Sequence, residues 1–457
     1  MKEKNGFTLI ELLAVVVILA VIALIATPII INVIENARKK AFENSVYGVM
    51  ETYKLDAIND VENIGKRYNF PEANAELKYT GTKMIRGSIF LDSEKDIEVR
   101  KITDGIYCAD GNKKNLIIKK GDCSIDLATA AILKPASSTS GFLGISGMKN
   151  ENIESIKIVM VNSFPEGSVD VSERKNGSVM LWTKDENGNG KLEVYIGAIN
   201  DIVYANPNSS RVFANLINME IMDLNNLDTS MVTDMSRLFY DLGRVSTSLT
   251  LNLGTNFDTT NVLNMKEMFY WVGLKSLNFT LDLGNKFDTS NVTDMSWMFY
   301  RTGNESTVFT LNLGNKFDTS NVTNMQSMFN ITGLNSIEFT LNLGDKFDTS
   351  KVTNMSNMFN QTGALNTNFT LNLGNKFDTS KVTNMENTFK LVGSENQNFT
   401  LDLGAKFNIY SVTNSQNTFE HTGSANPSFK PKAEVKTQAE KNAILAKYPN
   451  IDVTVKP

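Results

Sequence analysis

Residues 287–316 read FDTSNVTDMSWMFYRTGNESTVFTLNLGNK, and this 30-residue unit decides the fold of the larger part of the chain. Seven copies of the unit follow one another without insertion from Leu227 to Lys436. A fixed period of this length predicts a stack of coils, because a single unit cannot bury its apolar face and must pack on its neighbours. The sequence therefore predicts a solenoid.

Residues that recur at the same place in every copy predict which side chains lie inside the stack. Valine occupies one such column and phenylalanine another: Val232, Val262, Val292, Val322, Val352, Val382 and Val412, and Phe239, Phe269, Phe299, Phe329, Phe359, Phe389 and Phe419. The alternation in FTLNLG predicts one short strand per coil, with its phenylalanine and leucines inside and its other residues outside. In the third copy the inner residues are Phe309, Leu311 and Leu313, and the outer ones are Thr310 and Asn312.

The stretch VTDMSWMFY predicts a turn of helix in each coil, because Met295, Met298 and Phe299 have the spacing of one apolar helical face. A glycine follows in all seven copies, where the chain would leave that turn with a positive φ: Gly243, Gly273, Gly303, Gly333, Gly363, Gly393 and Gly423. Two charged columns would form ladders that offset each other: Lys286, Lys316, Lys346, Lys376 and Lys406, and Asp288, Asp318, Asp348 and Asp378. We interpret these columns as architecture rather than as a binding code.

The composition argues against several classes of function. Hydrophobic residues make up 41% and charged residues 21% of the 457 residues, which is ordinary for a globular protein. The net charge of −5 argues against nucleic acid as a partner, because no overall basic field would attract it. The single histidine, His421, nearly excludes the common catalytic and metal sites, and no nucleophile–base motif or phosphate loop is present. We therefore predict no enzymatic activity, no cofactor and no metal site.

The N-terminal stretch MKEKNGFTLIELLAVVVILAVIALIATPIII contains a candidate membrane span. Residues 12–31 carry no charge, and about 20 residues at ~1.5 Å each cross a hydrocarbon core of ~30 Å. A secretory signal would be shorter and would end in an A-x-A site. A plain membrane anchor would explain the length and the cytoplasmic lysines, Lys2 and Lys4, but not the acidic Glu11 at the edge of the span.

Gly6, Phe7 and Glu11, followed by the long apolar run, resemble the class III leader of type IV prepilins. The resemblance implies cleavage after Gly6 by prepilin peptidase and N-methylation of Phe7. Cleavage would free an α-amine with a pKa of about 8 on Phe7, four residues from Glu11 and therefore on the same helical face. In the family this carboxylate meets the amine of a neighbouring subunit as the filament grows. We therefore predict that Gly6 and Phe7 serve processing and that Glu11 serves filament assembly.

The next part of the chain is typical of the rest of a type IV pilin. We predict a leader at 1–6, a transmembrane and amphipathic helix at 7–60 and a pilin head at 61–125. The pieces RGSIFLD, DIEVRKI, GIYCAD and KNLIIKKG, separated by turn residues, predict a small antiparallel sheet that lies against the helix. The predicted fold class of this part is therefore α+β.

A linker and a β-rich cap are predicted between the head and the repeats. Residues 126–146, which include PASSTSGFLGISG, are small and Ser/Gly-rich, as an interdomain linker is. Within the entry cap, at 147–226, GSVMLWTKDENGNGKLEVYIGA predicts two strands joined by a turn. Residues 185–190 copy the first half of an EF-hand loop, but Ile196 stands where the bidentate glutamate belongs. A hairpin tip is therefore favoured over a calcium site.

The word FDTSKVTNMSNMF and its variants resemble the BspA-like leucine-rich-repeat surface proteins, which are bacterial adhesin-type modules. The resemblance covers about residues 150–436 and implies an α/β leucine-rich-repeat-like solenoid with its seven repeats at 227–436. It departs from the family in the segment after the glycine, NESTVFT in one copy, which is longer than expected. Residues 437–457 predict a helix and a strand that close the stack as a C-terminal cap.

Together these observations predict a minor type IV pilin-like surface protein that presents a solenoid for adhesion to a host or surface ligand, a protein or a glycan. Its other partners would be prepilin peptidase, other pilin subunits and the inner or cytoplasmic membrane, which it would span once before it enters an extracellular pilus. A minor position is favoured, because an addition of this size on every subunit would crowd the shaft. The alternative is a pseudopilin of a secretion or competence filament that binds cargo.

Cys108 and Cys123, the only two cysteines, predict a disulfide that closes the hairpin-like stretch ADGNKKNLIIKKGD. On the outer face of a membrane such a bridge would add about 3 kcal/mol by chain-entropy estimates, and two free thiols or redox chemistry are the alternatives. Non-reducing peptide mapping of protein taken from the cell surface should find the two cysteines in one cross-linked peptide. Two alkylatable thiols would contradict the prediction.

Overall fold

The computed structural model describes residues 9–59, 68–70, 73–91, 96–120, 130–136, 142–199 and 201–456, and it describes the side chains of the first helix from Val33 to Ile58. The chain divides into two compact units, residues 1–129 (unit 1) and 130–457 (unit 2). Beyond one long N-terminal helix, the described residues are mostly strands and turns. The prediction of a β-rich body is therefore confirmed.

Unit 1 consists of a long helix, α1, and one antiparallel sheet. Helix α1 is Leu9–Asn59, and a short helix, α2, is Ala73–Glu76. The strands, each paired with the next in chain order, are β1 Tyr68–Asn69, β2 Arg86–Leu91, β3 Ile97–Thr103, β4 Tyr107–Asn112 and β5 Ile117–Lys120. The four pieces that the sequence predicts as strands form β2 to β5.

The second half of α1 packs on this sheet through one apolar face. Its buried side chains have helical spacing: Phe42, Val46, Val49, Met50 and Tyr53. The ring of Phe42 stacks on that of Tyr107, with centroids 5.9 Å apart, and the Tyr107 hydroxyl donates to the Glu35 carbonyl at 2.9 Å. Val33 and Ala37, which the sequence places on the same apolar side, are exposed. The sheet therefore covers the helix only from about Phe42 onward.

The predicted membrane span falls at the other end of α1. Residues 12–31 lie on this helix ahead of its first described side chain. Among the residues that could be searched, no helix is long and apolar enough to cross a membrane. The span at 12–31 stays a prediction.

Unit 2 begins with a mixed sheet of six strands. Its early strands are β6 Ile153–Val161, β7 Val169–Asp170, β8 Met180–Lys184, β9 Leu192–Ile199, β10 Val203–Tyr204, β11 Ile221–Asp223, β12 Leu227–Asp228 and β13 Thr250–Asn252. The six-stranded sheet has the order β13-β11-β6-β9-β8-β7, while β10 and β12 pair separately. Strands β8 and β9 are antiparallel neighbours, so residues 185–191 form the predicted hairpin tip.

The segment predicted as a linker, 126–146, contributes to the core of unit 2 where it is described. Ile132 forms a parallel β-bridge with Tyr204, and Leu133 is buried. The ring of Phe142 stacks on that of Phe213, with centroids 6.5 Å apart. The linker prediction fails over these residues because burying the few apolar side chains outweighs the flexibility that the Ser/Gly-rich composition suggests.

The seven repeats form coils that stack with a constant offset of 30 residues, and we call residues 227–436 the repeat stack. The longer strands of the stack are β14 Asn278–Asp282, β15 Val308–Asn312, β16 Thr340–Asn342 and β17 Thr370–Asn372. Strand β14 pairs in parallel with β15, and β16 with β17, each residue facing its equivalent in the next coil. Single bridges with the same offset join the other side of the coils, as between Asn324 and Asn354.

The phenylalanine column forms a continuous ladder of stacked rings. From Phe213 through Phe239 to Phe419, neighbouring ring centroids lie 5.3–6.0 Å apart. Such pairs contribute about 0.5–1.5 kcal/mol each beyond the area they bury. The ring of Tyr448 meets Phe419 edge-on, at 5.2 Å and 86°, and so ends the ladder.

The predicted helical turn in each coil is wrong, because residues in its middle adopt a left-handed conformation. In the third coil Trp297 has φ 62° and Arg301 has φ 56°. The glycine that follows is left-handed in all seven coils, with φ between 54° and 60°, as the sequence predicts. A Cβ atom on Gly303 would also lie 2.5 Å from the ring of Phe309. Two separate constraints therefore require glycine there.

Alternating backbone donors explain why these turns are not helical. The amides of Met298 and Tyr300 donate three residues back, to Met295 and Trp297. The amides of Trp297 and Phe299 instead donate to carbonyls of the next coil, both at 2.8 Å. Half of the donors of the segment thus bind between coils, which an α-helix does not permit.

The C-terminal residues add a further parallel strand pair and a helix to the end of the stack. Strand β18 is Lys432–Val435, helix α3 is Gln438–Lys447, and β19, Asp452–Val455, pairs in parallel with β18. A capping box starts α3, with Thr437 and Glu440 each bonding the backbone amide of the other.

The left-handed serine of the fourth coil provides a test of the turn geometry. Ser327 has φ 54°, is fully buried, and its hydroxyl has no hydrogen-bond partner. We predict that Ser327→Gly raises the free energy of unfolding by about 1 kcal/mol, because glycine adopts this conformation without steric cost and leaves no buried hydroxyl unpaired. Denaturant titration of the full chain, followed by circular dichroism, measures the change.

Ser356 is the matched control, one residue earlier in the fifth coil. It is also buried, at 4% exposure, but is not among the residues with positive φ. Ser356→Gly should therefore lower the free energy of unfolding by about 0.4–1 kcal/mol, through the entropy of the unfolded chain. Equal losses of stability in both variants would show that the left-handed turn carries no strain.

Candidate binding surface

The residues predicted for processing and assembly lie mostly outside the described part of the chain. Gly6, Phe7 and Cys123 are not among the described residues, so neither the cleavage site nor the disulfide is tested. Glu11 lies on the backbone of α1, but its side chain is outside the described set. Cys108 lies in β4. These roles remain predictions.

One face of the repeat stack is a regular array of exposed polar side chains, which we call the polar strand face. Its members are the outward residues of the coil strands: Thr250, Thr280, Thr310, Thr340, Thr370 and Thr400, with Asn252, Asp282, Asn312, Asn342, Asn372 and Asp402. The predicted alternation is confirmed, since Phe309, Leu311 and Leu313 are buried. Paired strands lie about 4.8 Å apart, so the face repeats the same groups at that interval.

Hydrogen bonds hold part of the polar strand face in place. The Asn372 amide donates to the Asn342 side-chain oxygen at 3.4 Å, and the Asn312 side-chain oxygen accepts from the Gly314 amide at 3.0 Å. No hydrogen bond is recorded for the Thr310, Thr340 and Thr370 hydroxyl groups, all on described residues. These hydroxyls are therefore available to a ligand.

The aspartate and lysine columns form the corner of each coil, as the sequence predicts. The Thr289 hydroxyl donates to the Asp318 carbonyl and accepts from the Asp318 amide, both at 2.7 Å, which locks one coil to the next. Burial raises the pKa of Asp288, but the hydrogen bonds from Ser290 and the charge of Lys316 outweigh it and lower the pKa. Lys316 lies 3.8 Å from the Asp288 carboxylate. These groups are occupied with the coil itself.

A second surface, which we call the aromatic patch, consists of Tyr240, Tyr270, Tyr300, Trp271 and Trp297 on the turns of the first three coils. The three tyrosine rings stack at 4.7 Å and 4.7 Å between centroids. Trp271 lies 5.4 Å from Tyr270, and Trp297 meets Tyr300 at 5.0 Å. Burial raises the pKa of Tyr270, and its tyrosine neighbours add to the effect. All five side chains are partly exposed.

Arginines surround the aromatic patch. Arg244 and Arg301 lie over the Trp271 ring, at 5.3 and 5.6 Å from its centroid. Arg244 pairs with Asp241 at 2.8 Å, and Arg237 pairs with Glu267 through two contacts of 2.7 Å. Within the described part of the chain, Arg301 has no carboxylate within 4 Å. The patch therefore carries one guanidinium without an acidic partner.

The columns of the alignment were read for what the copies share, and so the aromatic patch was missed. Its signal is what the copies do not share: the column of Tyr240, Tyr270 and Tyr300 continues as Asn330, Asn360, Lys390 and Glu420. Two of the three tryptophans of the chain also fall in these coils.

The EF-hand-like loop does not present a cage of oxygens. The side-chain amides of Asn187 and Asn189 donate to the two carboxylate oxygens of Glu154 at 2.8 and 2.7 Å. The amide oxygens accept backbone N–H groups, from Asn189 and Lys191 respectively. Over the residues the structure covers, no group of three or more His, Cys, Asp or Glu side chains could hold a metal ion.

Two family models match the chain. The model of the prokaryotic N-terminal methylation motif matches residues 1–27. A motif of this prepilin type indicates a pilin-type surface protein, anchored in the membrane and then exposed on a pilus, and it is consistent with processing by prepilin peptidase and assembly with other pilins.

The second model, described as "Mycoplasma protein of unknown function, DUF285", matches residues 208–337 and 332–452. Comparison with curated proteins and with solved structures gives no match. The two matches of this model together reach from residue 208 to residue 452, which is more than half of the chain. The chain therefore belongs to the DUF285 family, in a version that begins with a prokaryotic N-terminal methylation motif.

Proposed function

We propose that this protein is a minor type IV pilin-like subunit that carries an adhesive repeat body to the cell surface. The observation that carries the proposal is the polar strand face, a repeated and exposed array on a chain whose N-terminus has the prepilin-type motif. In this proposal residues 12–31 span the membrane before assembly, and Glu11 pairs with the amine of a neighbouring subunit. A disulfide between Cys108 and Cys123 belongs to the same proposal.

We further propose that the repeat stack is a BspA-like, leucine-rich-repeat-type solenoid. One short strand per coil, parallel pairing at an offset of 30 residues and columns of buried valine and phenylalanine support this relationship. The turns that replace the predicted helix place the coils apart from the α/β form of such repeats. The proposed kinship therefore rests on the strand side and the sequence words.

Repetition suits the polar strand face to an extended or repeating ligand. Each coil offers a threonine and an asparagine or aspartate with the same spacing, so several weak contacts can form with one ligand. Once one contact has formed, the next is effectively intramolecular, and the total affinity exceeds that of any single site. We propose binding and no catalysis, because the sequence has no nucleophile–base motif and only one histidine.

The proposed processing predicts the effect of a change at residue 6. Gly6→Leu should block cleavage, because a bulky side chain beside the scissile bond would exclude it from the peptidase, and the uncleaved chain should stay in the membrane. Mass spectrometry of filament-associated parent protein should find N-methylated Phe7 as the first residue. Intact Met1 or Lys2 at the terminus of filament protein would contradict this.

The proposed adhesion predicts the effect of charges on the polar strand face. The triple variant Thr310→Lys, Thr340→Glu, Thr370→Lys places alternating charges on neighbouring strands, where they can pair across the sheet. We predict that cells displaying it attach to matrix-coated surfaces at least about tenfold less than the parent, since several weak contacts are lost together. Filament entry should be unchanged.

The matched control carries the same charges three residues earlier in the same coils. In Thr307→Lys, Ile337→Glu, Thr367→Lys the altered side chains are also exposed but lie ahead of the strands. This control should attach like the parent, and both variants should show the parent's thermal unfolding. Normal attachment by the first variant would remove the adhesive role of the face, and a loss of secretion or DNA uptake instead would favour the pseudopilin alternative.

A further inference from the structure

The aromatic patch is not required by the fold that carries it. In the fourth to seventh coils the same turn is present, with a left-handed residue at Ile331, Gln361, Leu391 and His421, as at Trp271 and Arg301. The backbone bonds also persist: Trp271 donates to the Tyr300 carbonyl, and Ile331 donates to the Asn360 carbonyl, both at 2.8 Å. Coils without aromatic residues therefore stack in the same way. The rings are an addition to the turns of the first three coils.

The charges beside the rings point to a single anionic group. Arg237 and Arg244 are neutralised by Glu267 and Asp241. Arg301 is not, and it lies 5.6 Å from the centroids of both the Trp271 and the Tyr300 rings. The Arg301 Nε–H and the Trp271 indole N–H are shielded donors without a hydrogen-bond partner. An oxygen-bearing anion would supply the acceptor that they lack.

The geometry points to the aromatic patch as a binding site for an acidic saccharide, a sugar ring that carries a carboxylate. Partly exposed tyrosine and tryptophan rings offer apolar surface to the C–H face of a sugar, and their polar tips can bond its hydroxyl groups. A guanidinium binds a carboxylate through two parallel hydrogen bonds, which makes Arg301 the group that would select the charge.

Single-stranded nucleic acid is a poorer fit to the same residues. Proteins that bind it combine stacked aromatic residues with a basic groove that follows many phosphates. The aromatic patch has one uncompensated arginine, and the chain as a whole has a net charge of −5. One anionic group is therefore what the patch can neutralise. The inference concerns a surface separate from the polar strand face, and it uses the proposed function only in assuming a body exposed to external glycans.

Titration of the full chain in detergent with N-acetylneuraminic acid tests the inference. Tryptophan fluorescence reports binding, because Trp271 and Trp297 lie in the patch. We expect saturable binding, and binding of the methyl ester of the same sugar should be weaker by about tenfold or more, since the ester keeps the ring and removes the charge. Equal binding of acid and ester, or no binding of the acid, would overturn the inference.

Substitutions taken from the other coils keep the test independent of folding. Arg301→Gln copies Gln361 of the fifth coil, and Tyr300→Asn copies Asn330 of the fourth. Both should weaken binding of N-acetylneuraminic acid about tenfold or more, and Arg301→Gln should abolish the preference for acid over ester. Lys390→Gln, which removes a positive charge from the tyrosine column in a coil without aromatic residues, should change nothing.

The two proposals fail in different experiments. Loss of attachment in the polar-face variants with no sugar binding would reject the acidic-saccharide site and keep the adhesive face. Sugar binding that is lost with Arg301→Gln, together with normal attachment by the polar-face variants, would do the reverse. Tight binding of oligothymidylate that depends on Tyr300 and Arg301 would replace the saccharide with nucleic acid as the ligand class.

Discussion

The offset of 30 residues between hydrogen-bonded partners is the constraint on which unit 2 depends. It brings each side chain beside its own equivalent, so whatever stabilises one coil interface is repeated at the next. Phenylalanine therefore meets phenylalanine at 5.3–5.6 Å from Phe269 to Phe419. Threonine hydroxyls likewise bridge the corners of successive coils, as Thr289 does to Asp318. A change of one residue in the length of any unit would break all of these pairings at once.

The same constraint explains why the coils tolerate strained residues. Non-glycine residues such as Trp297 and Arg301 adopt left-handed conformations that cost about 1–2 kcal/mol each. Those conformations turn alternate amides toward the next coil, where each bond contributes about 1 kcal/mol and no buried donor is left unpaired. Strain within a coil is thus offset by bonds between coils, and an isolated unit would not retain this conformation.

Much of unit 2 could be predicted from the sequence because its columns are repeated seven times. Repetition identifies the buried valines and phenylalanines, the strand alternation and the glycine with positive φ. The helical turn could not be predicted correctly, because Met295, Met298 and Phe299 would be buried together in a helix and in the observed turns alike. What separates the two structures is the direction of alternate amides, which depends on the neighbouring coil and leaves no local signal.

Two other features were missed for different reasons. In the segment 126–146 the composition hid Phe142 and Leu143, an apolar pair whose burial decides its conformation. In the repeats, attention to shared residues concealed the aromatic patch, which consists of residues found only in the first coils. The candidate polar face, by contrast, was predicted, because period-2 alternation in a strand specifies which side chains point outward.

Nearest-neighbour stacking at constant offset also has a consequence for inheritance. Copies as similar as these are substrates for recombination between misaligned genes, and a crossover between equivalent columns adds or removes whole coils. Lys286 could be followed by Phe347 as well as by Phe287, since the join would restore the same words and the same pairing. The length of the displayed body can therefore vary between lineages by whole units, while the aromatic coils beside the entry cap stay at a fixed place in the chain.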